Sequence, residues 1–233
     1  MTAPRTGGVK HLARDVIIIF VVAVLLSVVV KTFLVRSFYI PSGSMEHTLQ
    51  LQDRIVVNEL VPNLVPLQRG DVVVFEDPGG WLHLPAIPPV NAVVGAVDWV
   101  LTTVGFSPVN SNDHLIKRVI GIPGDTVTCC DAAGKVEVNG VPLHEPYVAL
   151  FPGVTRSSAI DFSVRVPAGS LWVMGDNRDN SRDSRYNQDT PSRGFVPMAD
   201  VVGRAFVITW PVGRVGWLDN YPATFSGIGP GNK

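Results

Sequence analysis

The chain has 233 residues, with Lys+Arg 19 against Asp+Glu 20 and a formal charge of -1. That balance excludes a polybasic nucleic-acid binder, and 46% hydrophobic residues exclude a disordered chain. Two cysteines exclude a disulfide-rich scaffold and a four-cysteine zinc site, while Gly 22 and Pro 19 suit short strands joined by turns better than a helical bundle.

Residues 1–15 carry Arg5, Lys10 and Arg14 against Asp15 alone. Residues 16–30 (VIIIFVVAVLLSVVV) contain no charge. Taken as 16–35, the run is roughly 30 Å long as a helix, one hydrocarbon thickness. Lys31 falls near its outer end, where the stem can snorkel to the headgroups. A cleaved secretory signal has an apolar core of about 7–15 residues and a small-x-small site soon after it. Here RSFYIPSGSM follows, so a permanent transmembrane helix is the expectation. The preceding basic residues place 1–15 in the cytoplasm and 36–233 across the cell membrane, with Phe38 and Tyr39 at the interface.

The rest reads as β. Residues 54–58 (RIVVN), 71–75 (DVVVF) and 115–120 (LIKRVI) are short apolar runs bounded by turn residues. Val136-Glu137-Val138-Asn139-Gly140-Val141 predicts a hairpin, because Asn-Gly supplies both positive φ angles of a type I′ turn. Residues 171–174 and 203–210 complete the set, and 152–167 is a less regular excursion. Residues 85–108 form an apolar insertion with room for one helix. It either covers part of the barrel, lies in the membrane interface, or crosses the membrane a second time.

Three pieces carry chemistry. Lys117 shares a strand face with Leu115 and Val119, and Ile116, Arg118 and Ile120 occupy the other. A lysine between apolar neighbours is desolvated, which favours the neutral amine and makes it a general base. The alternative is a lysine snorkelling from a strand edge. Ile40-Pro41-Ser42-Gly43-Ser44-Met45 places two serines around a glycine. Ser44 can attack a carbonyl, with its own N–H and the Ser42 hydroxyl as oxyanion donors; an ordinary serine-rich turn is the alternative. Residues 175–185 (GDNRDNSRDSR) hold three Asp and three Arg. Such matched charge suits a loop folded into a fixed ion-pair network, against a solvated turn.

In combination these segments resemble bacterial type I signal peptidase, the membrane-bound serine–lysine endopeptidase. The matching segments are Pro41-Ser42-Gly43-Ser44-Met45 after the helix, 70–75 (GDVVVF), 117–125 (KRVIGIPGD) and 175–185. Their order and spacing fit over roughly residues 10–212. The resemblance implies a mainly β fold: a coiled-sheet, barrel-like catalytic domain with one N-terminal transmembrane helix and a small α insertion. It implies Ser44 as nucleophile, Lys117 as general base and Ser42 as oxyanion donor. It further implies Ser181 orienting the Lys117 amine, a supporting Asp183–Arg185 pair, and Asp176 in the same scaffold. Phe38, Ile40, Pro41, Met45, Leu49, Leu115 and Ile116 would line shallow pockets for small residues, giving an Ala-x-Ala preference. Substrates would be signal-peptide-bearing preproteins emerging from the export machinery at the lipid bilayer, bound in extended form along strand edges. One departure stands out: His47 occupies a position where the family usually has proline, so a looser turn is expected there.

His47 and His114 are the rival bases, but nothing in the sequence selects the acid that a Ser-His-Asp triad needs. The five histidines show no metal-ligand spacing, so no metal and no other cofactor is expected. Cys129 and Cys130 are adjacent; they could pair with each other, stay free, or pair elsewhere. The non-enzyme reading is a membrane-tethered β-barrel binding module, for which Ser44 and Lys117 would be dispensable. A soluble, self-cleaving relative is the third reading, and the anchor argues against it.

Overall fold

The computed structural model describes residues 7–33, 35–82 and 113–229. The insertion expected at 85–108 lies outside them. The first element is a helix, α1 (Gly7–Phe33). Its apolar side chains from Val16 to Leu26 include nine that are more than 45% exposed, Ile19 and Phe20 most of all. Among the described residues no helix is long and apolar enough to cross a membrane. Side chains are described on α1 only for residues 11–27.

Among the described residues twelve strands follow: β1 (Val35–Tyr39), β2 (Arg54–Asn58), β3 (Val72–Glu76), β4 (His114–Gly121), β5 (Thr126–Cys129) and β6 (Val136–Val138); then β7 (Val141–Pro142), β8 (Phe162–Arg165), β9 (Ser170–Met174), β10 (Val196–Pro197), β11 (Val201–Trp210) and β12 (Gly216–Trp217). They form two sheets. The larger has the order β1-β2-β11-β3-β4-β9-β10, with β12 also paired to β11; the smaller has the order β7-β6-β5-β8. Every pairing among these strands is antiparallel. The mainly β expectation holds.

The chain leaves the helical pattern earlier than expected. Val35 opens β1 opposite Asn58, and Phe38 pairs with Ile55. Phe38 is 2% exposed, so it belongs to the domain core and not to a membrane interface. The apolar run of the helix continues directly into an apolar strand, which hides the boundary from periodicity. The 152–167 excursion likewise contains β8, paired to β5. The Asn-Gly hairpin forms as read, with Asn139 at φ 53 and Gly140 at φ 78 between β6 and β7.

Apolar packing occurs on both sides of the large sheet. One cluster joins Phe38, Ile40, Met45, Leu49, Ile55, Val74 and Ile116. Another joins Val73, Phe75, Leu115, Val119, Leu171 and Val173. A third fills the small sheet around Val127, Val136, Val138 and Trp172. Strand β4 therefore lies between two apolar layers, and seven of its eight residues are buried. This is the environment that receives Lys117. Cys129, the last residue of β5, and Cys130 form a disulfide.

Candidate active site

Ser44 sits in a short 3-10 turn, Gly43–Met45, reached from β1 by extended chain through Ser42 (φ -129, ψ 152). Met45 and Leu49 are both fully buried and anchor the turn in the apolar layer. From the other side Asn177 clamps it. The Asn177 backbone N–H donates to the Ser44 carbonyl at 3.1 Å. Its side-chain amide donates to the Gly43 carbonyl and to Glu46 Oε2, each at 3.1 Å.

Lys117 comes from the middle of β4, opposite Val73 of β3. The two-residue period puts it on the side of Leu115 and Val119. Lys117 is 3% exposed and Ser44 6%. The amine Nζ stands 2.7 Å from Ser44 Oγ and donates to the Ile116 carbonyl at 2.9 Å. Burial disfavours the ammonium and lowers the Lys117 pKa to about 8, although the Asp183 and Asp176 carboxylates pull it upward. Ser42 Oγ lies 3.3 Å from Ser44 Oγ.

The 175–185 loop packs behind this pair. Gly175 leaves no room for a side chain: a Cβ there would stand 2.2 Å from Ser181 Oγ and 2.5 Å from the Ser44 carbonyl oxygen. The Ser181 hydroxyl donates to Asp183 Oδ2 at 2.8 Å, and no hydrogen bond joins it to Lys117 among the described residues. The expected Ser181–Lys117 hydrogen bond is thus not formed among the described residues, and Ser181 bonds to Asp183 in its place. Asp183 also receives the Gly175 N–H at 2.9 Å and both Arg185 guanidinium arms at 2.8 Å. Burial would raise the Asp183 pKa, but the Arg185 charge and these hydrogen bonds hold it below the ordinary carboxylate value.

The charges of the loop do not simply neutralise each other. Asp183–Arg185 is internal, whereas Asp176 pairs with Arg118 of β4 at 2.7 Å and Arg178 pairs with Glu145 at 2.5 Å. Both partners lie outside the loop, and Arg118, Arg178, Glu145 and Asn177 were not among the expected site residues. Thr48 donates to Asp176 at 2.5 Å, so the Arg118–Asp176 pair ties the serine turn to β4. The Arg118 guanidinium also lies 4.1 Å from the Tyr147 ring centre.

Next to Pro41 and Ile116 lies a small groove of about 10 Å³. Phe38 and Tyr39 of β1 and the following Ile40 and Pro41 line one side, His114, Leu115 and Ile116 of β4 the other, with Ile55 and Val74. Met45 and Leu49, expected as lining, lie in the core instead, since neither exposes any surface. His47 has φ 89, a conformation closed to proline, whose ring fixes φ near −65°. Its Nδ1 is 3.3 Å from the Tyr147 carbonyl.

The family model described as "Signal peptidase, peptidase S26" matches residues 13–210. The chain belongs to this signal peptidase family. Curated relatives agree. The probable signal peptidase I of Mycobacterium leprae (strain TN) is 40% identical over an alignment of 226 positions that covers 85% of this chain and 76% of that protein. The signal peptidase I of Mycobacterium tuberculosis (strain CDC 1551 / Oshkosh) is 40% identical, covering 87% and 74%. That of Pseudomonas aeruginosa (strain PAO1) is 32% identical, covering 88% and 74%. A solved signal peptidase I from Enterococcus faecalis V583 is 27% identical with a TM-score of 0.38, covering 59% of this chain and 95% of its own. As a member of the signal peptidase family the chain is a peptidase of the S26 type, and its serine turn, β4 and 175–185 loop all fall within the matched residues.

Proposed function

We propose that this signal peptidase removes N-terminal signal peptides from exported preproteins, with Ser44 as nucleophile and Lys117 as general base. The observation that carries this reading is the 2.7 Å approach of a buried amine to the serine hydroxyl. With the Lys117 pKa near 8, about a tenth of the amine is neutral at pH 7. Neutral Nζ accepts the Ser44 proton while Oγ attacks the scissile carbonyl carbon. The developing oxyanion is met by the Ser44 N–H and the Ser42 hydroxyl. The ammonium then protonates the leaving amine, which departs as the new N-terminus. A water molecule, deprotonated by Lys117 in turn, hydrolyses the acyl-serine and frees the enzyme.

The groove next to Pro41 and Ile116 supports a preference for Ala-x-Ala sites. It is narrow and mostly apolar, so small side chains fit and large ones clash. Asp183, Arg185, Ser181 and Asp176 act as scaffold, holding the turn and β4 in register.

Helix α1 serves in this reading as the anchor of a single-pass protein of the cell membrane, N-terminus inside and catalytic domain outside. The uncharged run at 16–30 and the exposed apolar side chains of α1 support it. Ser44 follows Phe33, the last residue of α1, by eleven residues, at most about 40 Å of extended chain. The cleft then lies near the bilayer surface, where a preprotein leaving the export machinery presents its cleavage site.

The test is cleavage of an Ala-x-Ala preprotein by purified full-length Ser44→Ala and Lys117→Ala. Both variants are expected to lose cleavage while remaining folded. Activity retained in either one rejects the dyad; a wild type that does not cleave the preprotein favours a chain whose cleft only binds.

A further inference from the structure

Of the three arginines in the 175–185 loop, two are used up inside the fold. Arg178 and Arg185 are buried and paired with Glu145 and Asp183. Arg182 is exposed and makes neither a hydrogen bond nor an ion pair to a described residue. It lines an open cleft of about 500 Å³ together with Asp179, Asn180, Ser181 and Tyr186. Asp179 Oδ2 accepts the Phe151 N–H at 2.6 Å. Tyr186 is 42% exposed in this cleft, and Phe151, tied to Asp179, is 55% exposed beside it.

The cleft adjoins the dyad on the side away from the small-residue groove. That groove is walled by residues 114–116 of β4, and Lys117 follows them. Beyond Lys117 the neighbour of β4 is β9, with Arg118 opposite Met174, and the loop continues from Met174. Gly175 packs between Ser181 Oγ and the Ser44 carbonyl, so Ser181, in the inner wall of the cleft, stands beside the serine turn. We propose that this cleft receives the first residues of the mature chain after the scissile bond, and that Arg182 is a specificity-determining residue that binds an acidic side chain there. The inference rests on the function proposed above. A substrate whose residues before the cut occupy the groove leaves the dyad past Lys117, onto the loop. Arg182 follows Ser181 directly, which puts its guanidinium in reach of the first three residues, about 10 Å of extended chain. The planar guanidinium matches a carboxylate with two parallel hydrogen bonds. Asp179 repels an acidic side chain set at its own end of the cleft, so selection is confined to the position that meets Arg182. Tyr186 and Phe151 offer apolar surface to the neighbouring side chains.

The experiment measures kcat/KM of the full-length enzyme for Ala-x-Ala peptides carrying glutamate or its neutral isostere glutamine at the first, second or third residue after the cut. Wild type is expected to favour glutamate about threefold at one of these positions, the worth of an exposed ion pair. The ratio should fall towards one in about 1 M salt, where charges are screened beyond about 3 Å. Arg182→Gln should bring it to about one, and Arg182→Glu should invert it. Equal kcat/KM for glutamate and glutamine at all three positions in wild type overturns the inference, as does a preference that survives in Arg182→Gln. If a variant fails to fold, the wild-type ratio and its loss in salt still decide. Wild type that cleaves none of the peptides refutes the underlying peptidase reading instead.

Discussion

Burying Lys117 costs the fold stability, and replacing it with methionine should recover part of that cost while abolishing activity. The amine titrates at 10.5 in an unfolded chain and at about 8 in the fold. At about 1.4 kcal/mol per tenfold, that difference is about 3 kcal/mol. Below about pH 8 both states hold the proton and the whole penalty is present. Between there and 10.5 the unfolded state binds more protons, so stability rises with pH; above 10.5 the penalty is gone. Methionine has a similar volume and no charge. It also loses the bond to the Ile116 carbonyl, worth about 1 kcal/mol. Lys117→Met should then be more stable than wild type by about 2 kcal/mol at neutral pH. Urea unfolding of the full-length protein in detergent, followed by tryptophan fluorescence at several pH values, measures this. The advantage should shrink across the window from about 8 to 10.5 and disappear above it. A variant less stable than wild type at neutral pH, or a difference constant with pH, refutes the claim that the amine is held dry.

Two further substitutions probe the scaffold. Gly175→Ala places a methyl group 2.2 Å from Ser181 Oγ and 2.5 Å from the Ser44 carbonyl. The serine turn must move by the order of an ångström, for a loss of about 100-fold in kcat/KM. Gly213→Ala, where a Cβ meets nothing within 4 Å, should leave kcat/KM unchanged; equal activity of the two variants would contradict the packing. Asp176→Ala strands the Arg118 guanidinium, which is 0% exposed. The expected cost is about 3–5 kcal/mol, a fall of about 10 °C in Tm, read by calorimetry. A shift of under about 2 °C would show that the pair contributes little to stability.

Much of the site was legible because it is local. The turn around Ser44 and the apolar flanks of Lys117 are written in a few consecutive residues, and β4 formed one residue longer at each end than read. The partner of Arg118 was not legible. Arg118 and Asp176 are 58 residues apart, and nothing in either segment names the other. The same holds for Arg178 and Glu145, 33 residues apart. Reading the 175–185 loop as matched charge therefore left its two outward ion pairs, to Arg118 and Glu145, without partners. Met45 and Leu49 have the composition of pocket residues, yet the fold buries them; composition does not distinguish the floor of a groove from the core below it. The helix-to-strand boundary at Val35 was lost because an apolar helix runs straight into an apolar strand.

The central claim is that catalysis waits on one uncharged amine. It is tested most directly by kcat/KM of wild type for an Ala-x-Ala peptide from about pH 6 to about pH 10. The rate should climb about tenfold per pH unit at the acid end and level off above about 8, where Lys117 has lost its proton. A rate independent of pH through that range, or one that falls as pH rises through 8, would contradict a lysine base.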